Sequence, residues 1–140
     1  MLIASERFGE IEVAEERILS FPEGLLGFPE ARRFAMVESD DAGVYFWLQS
    51  VDDPSLAFLT VVPWAFFPDY AVDLPDAEER SLELEREGDA LVLCLLTVHR
   101  ETKAITANLL GPLVINAVSR LGRQVVLAES GYPVRAPLAA

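Results

Sequence analysis

Three side chains that carry much protein chemistry are nearly missing from this chain, whose 140 residues include one cysteine (Cys94), one histidine (His99) and one lysine (Lys103). A single cysteine excludes a disulfide framework within the chain. Cys94 sits inside LVLCLLTV, where it reads as a small buried side chain without the neighbouring cations that make a thiol reactive. A single histidine excludes a His-paired metal site or a Cys/His ligand cluster within one chain. His99 ends an apolar run and precedes Arg100, the setting of a solvated turn. A Ser-His-Asp triad would need that same histidine beside a serine on a nucleophile turn, and none of the eight serines has the flanking glycines. Long apolar runs are missing too. The longest, Ala90 to Leu96, falls far short of the roughly 18 residues of a membrane span. Repeats, low-complexity tracts and linkers are absent. The opening MLIASERFGEIE places acids almost at once, with no basic patch before an apolar stretch, so it does not read as a signal peptide and the expected compartment is the cytoplasm.

What the chain has is acid and apolar bulk. One domain is expected at this length, burying roughly two-thirds of its unfolded surface, and 51% of the residues are hydrophobic. The net charge is −12 and unevenly spread. Met1 to Pro68 has 12 acids and 4 bases, Asp69 to Asp89 has 9 and 2, and Ala90 to Ala140 has 2 and 5. Such a chain is repelled by phosphate backbones, which argues against direct nucleic-acid binding. Attraction to a basic protein is compatible with it, as is simple solubility.

Apolar runs of strand length recur between turn signals. Strands are predicted over Glu10–Val13, Arg17–Phe21 and Arg33–Glu38, followed by a hairpin of Val44–Val51 and Leu56–Val62 about Asp52-Asp53-Pro54-Ser55. Pro63 opens a helical turn over Trp64–Phe67. Pro75–Arg80 is a second, with Asp76 and Glu79 at capping-box spacing. Ser81–Glu85 alternates and predicts a strand with one wet face. Ala90–Val98, apolar on both faces, predicts the central strand. Ala104–Ala107 pairs back on it, and Leu113–Asn116 and Gln124–Leu127 complete the set, separated by Arg120–Arg123. Gly111-Pro112 argues against a helix there. The expected class is all-β, mainly antiparallel: a small closed or partly closed barrel with one or two short helical turns. The tail from Tyr132 is expected to lie on the surface and fray.

Catalytic constellations do not assemble from these residues. Asp40-Asp41 and Asp52-Asp53 fall in turns, where acids bond the local backbone. Gly24-Leu25-Leu26-Gly27 lacks the lysine and hydroxyl of a phosphate loop and reads as a turn closing a barrel end. Three features remain. The aromatics Trp64, Phe66, Phe67 and Tyr70 suit either an interface hot spot or a plug over the open barrel end. The acids from Asp69 to Asp89, among them Asp73, Glu78, Glu79 and Glu83, suit either a solvated face or an electrostatic guide. In Asn108–Asn116 the leucines suit core, and both asparagines suit turns bonded to their own backbone or contacts to a partner.

Thr106–Asn116 reads TANLLGPLVIN, Pro22–Phe28 PEGLLGF, Leu48–Ser50 LQS and Phe67–Tyr70 FPDY, with an arginine-flanked pattern around Tyr132. In this order and spacing the segments resemble the flagellar assembly factor FliW family, from Phe8 to about Leu138. The resemblance implies a cytoplasmic, non-enzymatic regulator that uses no cofactor and is a monomer when free. It also implies two protein partners, flagellin and the small dimeric translational repressor CsrA, competing for one pool. Unexported flagellin then leaves CsrA free to repress, and export reverses this. Phe67 and Tyr70 are assigned to one partner site, the acids Asp73, Glu78, Glu79 and Glu83 to steering of CsrA, and Asn108 and Asn116 stand as further contacts. The single lysine and the acidic middle section depart from the family's usual look. A rival reading is a small barrel holding a flavin or other flat ligand against aromatic residues.

Overall fold

The computed structural model describes residues 1–138. Its strands are β1 (Leu2–Ser5), β2 (Gly9–Glu12), β3 (Ile18–Ser20), β4 (Arg33–Glu38), β5 (Tyr45–Ser50), β6 (Ala57–Val61), β7 (Ala90–Val98), β8 (Ile105–Ala107), β9 (Leu113–Asn116), β10 (Gly122–Gln124) and β11 (Ala136–Pro137), and its one α-helix is α1 (Asp76–Ser81). Every strand pair is antiparallel. The main sheet runs β10-β9-β7-β6-β5-β4-β3, with β8 on the far half of β7 and β11 on β8, while β1 and β2 form a separate hairpin. The sheet curls without closing through a full ladder. A single parallel bridge joins Ser20 to Leu121, where the Ser20 N–H donates to the Arg120 carbonyl at 2.9 Å. The expected all-β class holds, in its partly closed form.

β7 is central, as its pattern predicted. Leu93 packs inside the curl with Phe21, Phe34, Leu48, Leu113 and Ile115, whereas Val92 and Cys94 pack on the opposite face with Val61, Tyr70, Leu82 and Val114. Successive strand side chains point to opposite faces, so β7 and β9 divide two apolar layers. The outer layer needs a cover. The long β6–β7 connection supplies it, bringing Phe66, Phe67, Val72, Leu74 and Leu84 onto that layer.

This cover explains three departures from expectation. Ser81–Glu85 is not a strand: α1 ends there and Glu83 takes a left-handed φ of 57°. Its alternation arises because Leu82 and Leu84 face the layer while Ser81, Glu83 and Glu85 face water. The Asp76/Glu79 capping box does not form, since Pro75 is the N-cap and no side chain caps the helix. The aromatic group does not plug the barrel end. Its packed members, Phe66, Phe67 and Tyr70, lie on the outer face of the sheet with Val92, Cys94 and Val114.

Two further corrections concern the C-terminal third. The predicted Gln124–Leu127 strand is β10 at Gly122–Gln124, which starts two residues earlier, and Gly122 is a packing glycine: a Cβ there would sit 2.6 Å from the Phe21 ring. The tail runs over the surface, with Pro133, Val134, Arg135 and Pro137 exposed, and is tied at two points. The Tyr132 ring packs against that of Tyr70 at a tilt of 58°, centroids 4.7 Å apart, and β11 pairs Ala136 with Ala107, Ala136 being buried. Residues 139 and 140 of the predicted tail lie outside the described residues.

Candidate functional site

The cover separates its residues by chemistry. From Ala71 to Pro75 the chain is extended, with Val72 and Leu74 turned to the outer layer and Ala71, Asp73 and Pro75 exposed. Asp69, Asp73, Asp76, Glu79, Glu83 and Glu85 are all exposed. Among the described residues, Glu78 is the one member of this stretch in an ion pair. Arg123 holds it, with Nε 2.8 Å from Glu78 Oε2, and also pairs with Glu23. Glu78 is therefore an internal tie between α1, β10 and the Glu23 loop, while Asp73, Glu79 and Glu83 remain an uncompensated acidic face.

The aromatic candidates are bound up with one another. Tyr70 is 5% exposed, and its hydroxyl donates to the Leu109 carbonyl at 2.6 Å. Its own carbonyl accepts the Trp64 indole N–H at 2.7 Å. Burial drives the Tyr70 hydroxyl well above the usual tyrosine range and pushes the Cys94 thiol up to about 12, so both stay protonated and neither offers an anion. Tyr70 pins the cover to the TANLLG loop, and Phe67 lies half-buried beside it on the outer layer. A flat ligand would have to displace these contacts.

The two asparagines divide. Asn108 is half-buried and its Oδ1 accepts the Gly111 N–H at 2.9 Å. Asn116 is 4% exposed. Its Oδ1 accepts the Val118 and Ser119 N–H groups, and its Nδ2 donates to the carbonyls of Leu82 and Glu83. The local-turn reading describes Asn108 and the Oδ1 of Asn116, whereas the Asn116 amide N–H groups reach the distant end of α1, leaving its side chain no polar atom over for a partner. The turn reading of the acid pairs also holds, through Asp40 Oδ1 accepting from Val44 and Tyr45 and Asp53 Oδ1 from Ser55.

Two open clefts flank the extended segment, with Asp73 on both. One, about 340 Å³, lies between Trp64, Leu74, Glu79 and Val92. The other, about 600 Å³, lies between Ala71–Pro75 and a stretch that includes Val126, Leu127, Glu129 and Tyr132. Of the predicted residues, Asp73 and Glu79 thus meet at one cleft, Glu83 lies past the end of α1, and Asn108 and Asn116 sit elsewhere. Sequence reasoning did not single out Arg123 or the cleft-lining stretch Val126–Ser130. Arg123 carried a readable signal, since it is one of few bases in so acidic a chain.

Among the described residues no cluster of histidine, cysteine and acid groups has metal-binding geometry, and no helix is long and apolar enough to cross a membrane. A partly closed antiparallel domain with an acidic, cleft-bearing cover defines the class of small, mainly antiparallel β proteins. A family model described as FliW protein matches residues 2–138. The chain is 39% identical over 139 residues to the flagellar assembly factor FliW of Natranaerobius thermophilus, spanning 99% of this chain and 92% of that one. It is 34% identical to that of Bdellovibrio bacteriovorus, over 99% of this chain and 79% of that one. It superposes on the crystal structure of a flagellar assembly factor FliW with a TM-score of 0.90 at 35% identity, covering 100% of this chain and 98% of the other. The chain belongs to the FliW family.

Proposed function

We propose that this chain is a cytoplasmic flagellar assembly factor that acts without catalysis, binding flagellin and antagonising the translational repressor CsrA by direct contact, so that flagellin translation follows export. Family membership supports the setting. The observation that carries the CsrA arm is the acidic face, where Asp73, Glu79 and Glu83 are exposed and without ion-pair partners among the described residues. An RNA-binding repressor must present a basic surface, and an uncompensated field of opposite sign speeds its capture.

The test is stopped-flow association of CsrA with the wild-type chain and with the Asp73→Lys, Glu79→Lys, Glu83→Lys triple variant. Glu78 is left alone because it ties Arg123. The variant should associate about tenfold more slowly at low salt, and the difference should shrink in high salt as screening removes long-range attraction. Equal rates at low salt would sink the steering role, and a wild-type chain that captures neither host CsrA nor host flagellin would sink the function.

A further inference from the structure

The larger cleft is bordered by two stretches of backbone that leave some hydrogen-bonding groups unused among the described residues. The β10 strand continues beyond Gln124 as an edge, with the Val125 N–H donating to the Pro112 carbonyl at 3.0 Å and the Leu127 N–H to the Leu110 carbonyl at 2.8 Å. Bonding groups alternate sides along an antiparallel strand, so Val126 aims its N–H and C=O the other way, toward the cleft it lines, and Ala128, which opens the Leu127–Ser130 turn, lines the same cleft. Among the described residues neither N–H has a partner. Across the cleft, the Ala71 N–H is taken by the Tyr132 hydroxyl at 2.9 Å, but the N–H groups of Val72, Asp73 and Leu74 have no partner among the described residues.

An exposed edge is a template for another strand, and proteins ordinarily blunt it with lysine, proline or a covering loop. None of these stands at Val126–Ala128. The cleft has the buried Leu127 and the half-buried Tyr132 on its lining and Val126 49% exposed beside them. Its charged lining residues are Asp73 and Glu129, both acidic. A second copy of a chain with net charge −12 is disfavoured here by repulsion.

We propose that this cleft is a strand-addition site for an extended segment of a partner protein, with β-branched residues at alternate positions and lysine or arginine at its ends. The segment lies along Val126–Ala128, takes up the free N–H and C=O of Val126 and the free N–H of Ala128, seats alternate side chains over Leu127 and Tyr132, and places its basic ends by Asp73 and Glu129. Main-chain bonds supply affinity in this mode and the alternate side chains supply selectivity. The proposal rests on the reading that the chain works by holding other polypeptides, and it names how one is held.

The test is fluorescence polarisation of the full chain with a labelled Val/Thr peptide ended by lysines, beside the same peptide ended by glutamates. The lysine-ended peptide should bind, and the glutamate-ended one at least about tenfold more weakly at low salt. Val126→Pro removes a cleft-facing N–H without breaking a hydrogen bond among the described residues. That variant should keep its thermal midpoint yet lose about tenfold in affinity, whereas Val126→Thr should bind as wild type. Should Val126→Pro fold poorly, amide exchange of the wild-type chain decides: the peptide must slow exchange at Val126 and Ala128. No binding of the lysine-ended peptide, full binding by a folded Val126→Pro chain, or protection confined to another face would overturn the proposal. If that happened while whole flagellin or CsrA was still captured, the cleft alone would be refuted. Loss of both would refute the protein-binding reading as well.

Discussion

The Asn116 side-chain amide donates to the Glu83 carbonyl at 3.1 Å, and to the neighbouring Leu82 carbonyl at 2.9 Å. The last residue of β9 thereby holds the left-handed turn that ends α1, and fastens the acidic cover over the outer layer. A side chain other than glycine in that conformation costs about 1–2 kcal/mol, and it persists because the surroundings fix it. Asn116→Ala should lower stability by about 2–3 kcal/mol through buried carbonyls and N–H groups left unpaired. Glu83→Gly should be neutral or mildly stabilising, while Glu83→Val, β-branched at positive φ, should cost more than about 1 kcal/mol. Urea unfolding midpoints check all three.

Gly24 and Gly27 look alike in PEGLLGF, and the structure separates them. Both have positive φ, 68° and 84°, but a Cβ at Gly24 would lie 2.5 Å from the Pro29 carbonyl oxygen, whereas nothing lies within 4 Å of one at Gly27. Gly27→Ala should therefore cost only its backbone strain, about 1 kcal/mol. Gly24→Ala adds a clash with main chain that cannot swing aside, and should cost at least twice that. Equal losses in thermal unfolding would refute the distinction.

Much of this architecture was legible because short-range pattern and long-range burial agreed. β4 begins and ends where its pattern said, and β7 read as central because Val92 and Leu93 both need an apolar neighbour on opposite faces. The errors share one cause: residues whose role is set by something distant in sequence. Leu82 and Leu84 alternate with acids like a strand, yet what orders them is β9, through Asn116. Gly122 reads as part of the separator between two strands, yet it lies in β10 and marks the approach of Phe21. Tyr132 looked like the start of a loose tail, yet Tyr70 receives it. In the candidate site the acids were readable as a run, but their division into the tied Glu78 and the unpaired Asp73, Glu79 and Glu83 depended on Arg123, which arrives from another strand. Val126 falls inside the predicted Gln124–Leu127 strand, but nothing marks it as an open edge, since unused backbone groups are invisible in side-chain letters.

Arg123 bridges Glu78 and Glu23, and the two carboxylates differ in exposure, 23% against 65%. The Glu78 pair, the less hydrated of the two, should carry most of the coupling, because solvent screens exposed pairs to about 0–1 kcal/mol. A double-mutant cycle with Arg123→Met and Glu78→Gln should give a coupling of about 1 kcal/mol, and the cycle with Glu23→Gln close to zero. A larger coupling to Glu23 would reverse the assignment.

Cys94 and Tyr70 make stability depend on alkali. Burial raises the thiol to about 12 in the folded chain and raises the Tyr70 hydroxyl in the same direction, whereas unfolded thiols and phenols ionise near about 8.5 and 10. Below pH of about 8.5 both groups are protonated in both states and the contribution is complete. As pH rises further, the unfolded chain releases protons that the folded chain keeps, so its free energy falls relative to the folded state and stability is lost progressively up to about 12 for the thiol. Urea unfolding at pH 8 and pH 10.5 should show a clear loss for the wild-type chain, and a shallower one for the Cys94→Ala, Tyr70→Phe double variant even though that variant is less stable at pH 8. Cys94 should also resist a thiol reagent at pH 8 until urea unfolds the chain. Rapid labelling of the native protein, or an unchanged pH slope in the double variant, would show that these groups titrate as they do in water and that the outer layer is open to solvent.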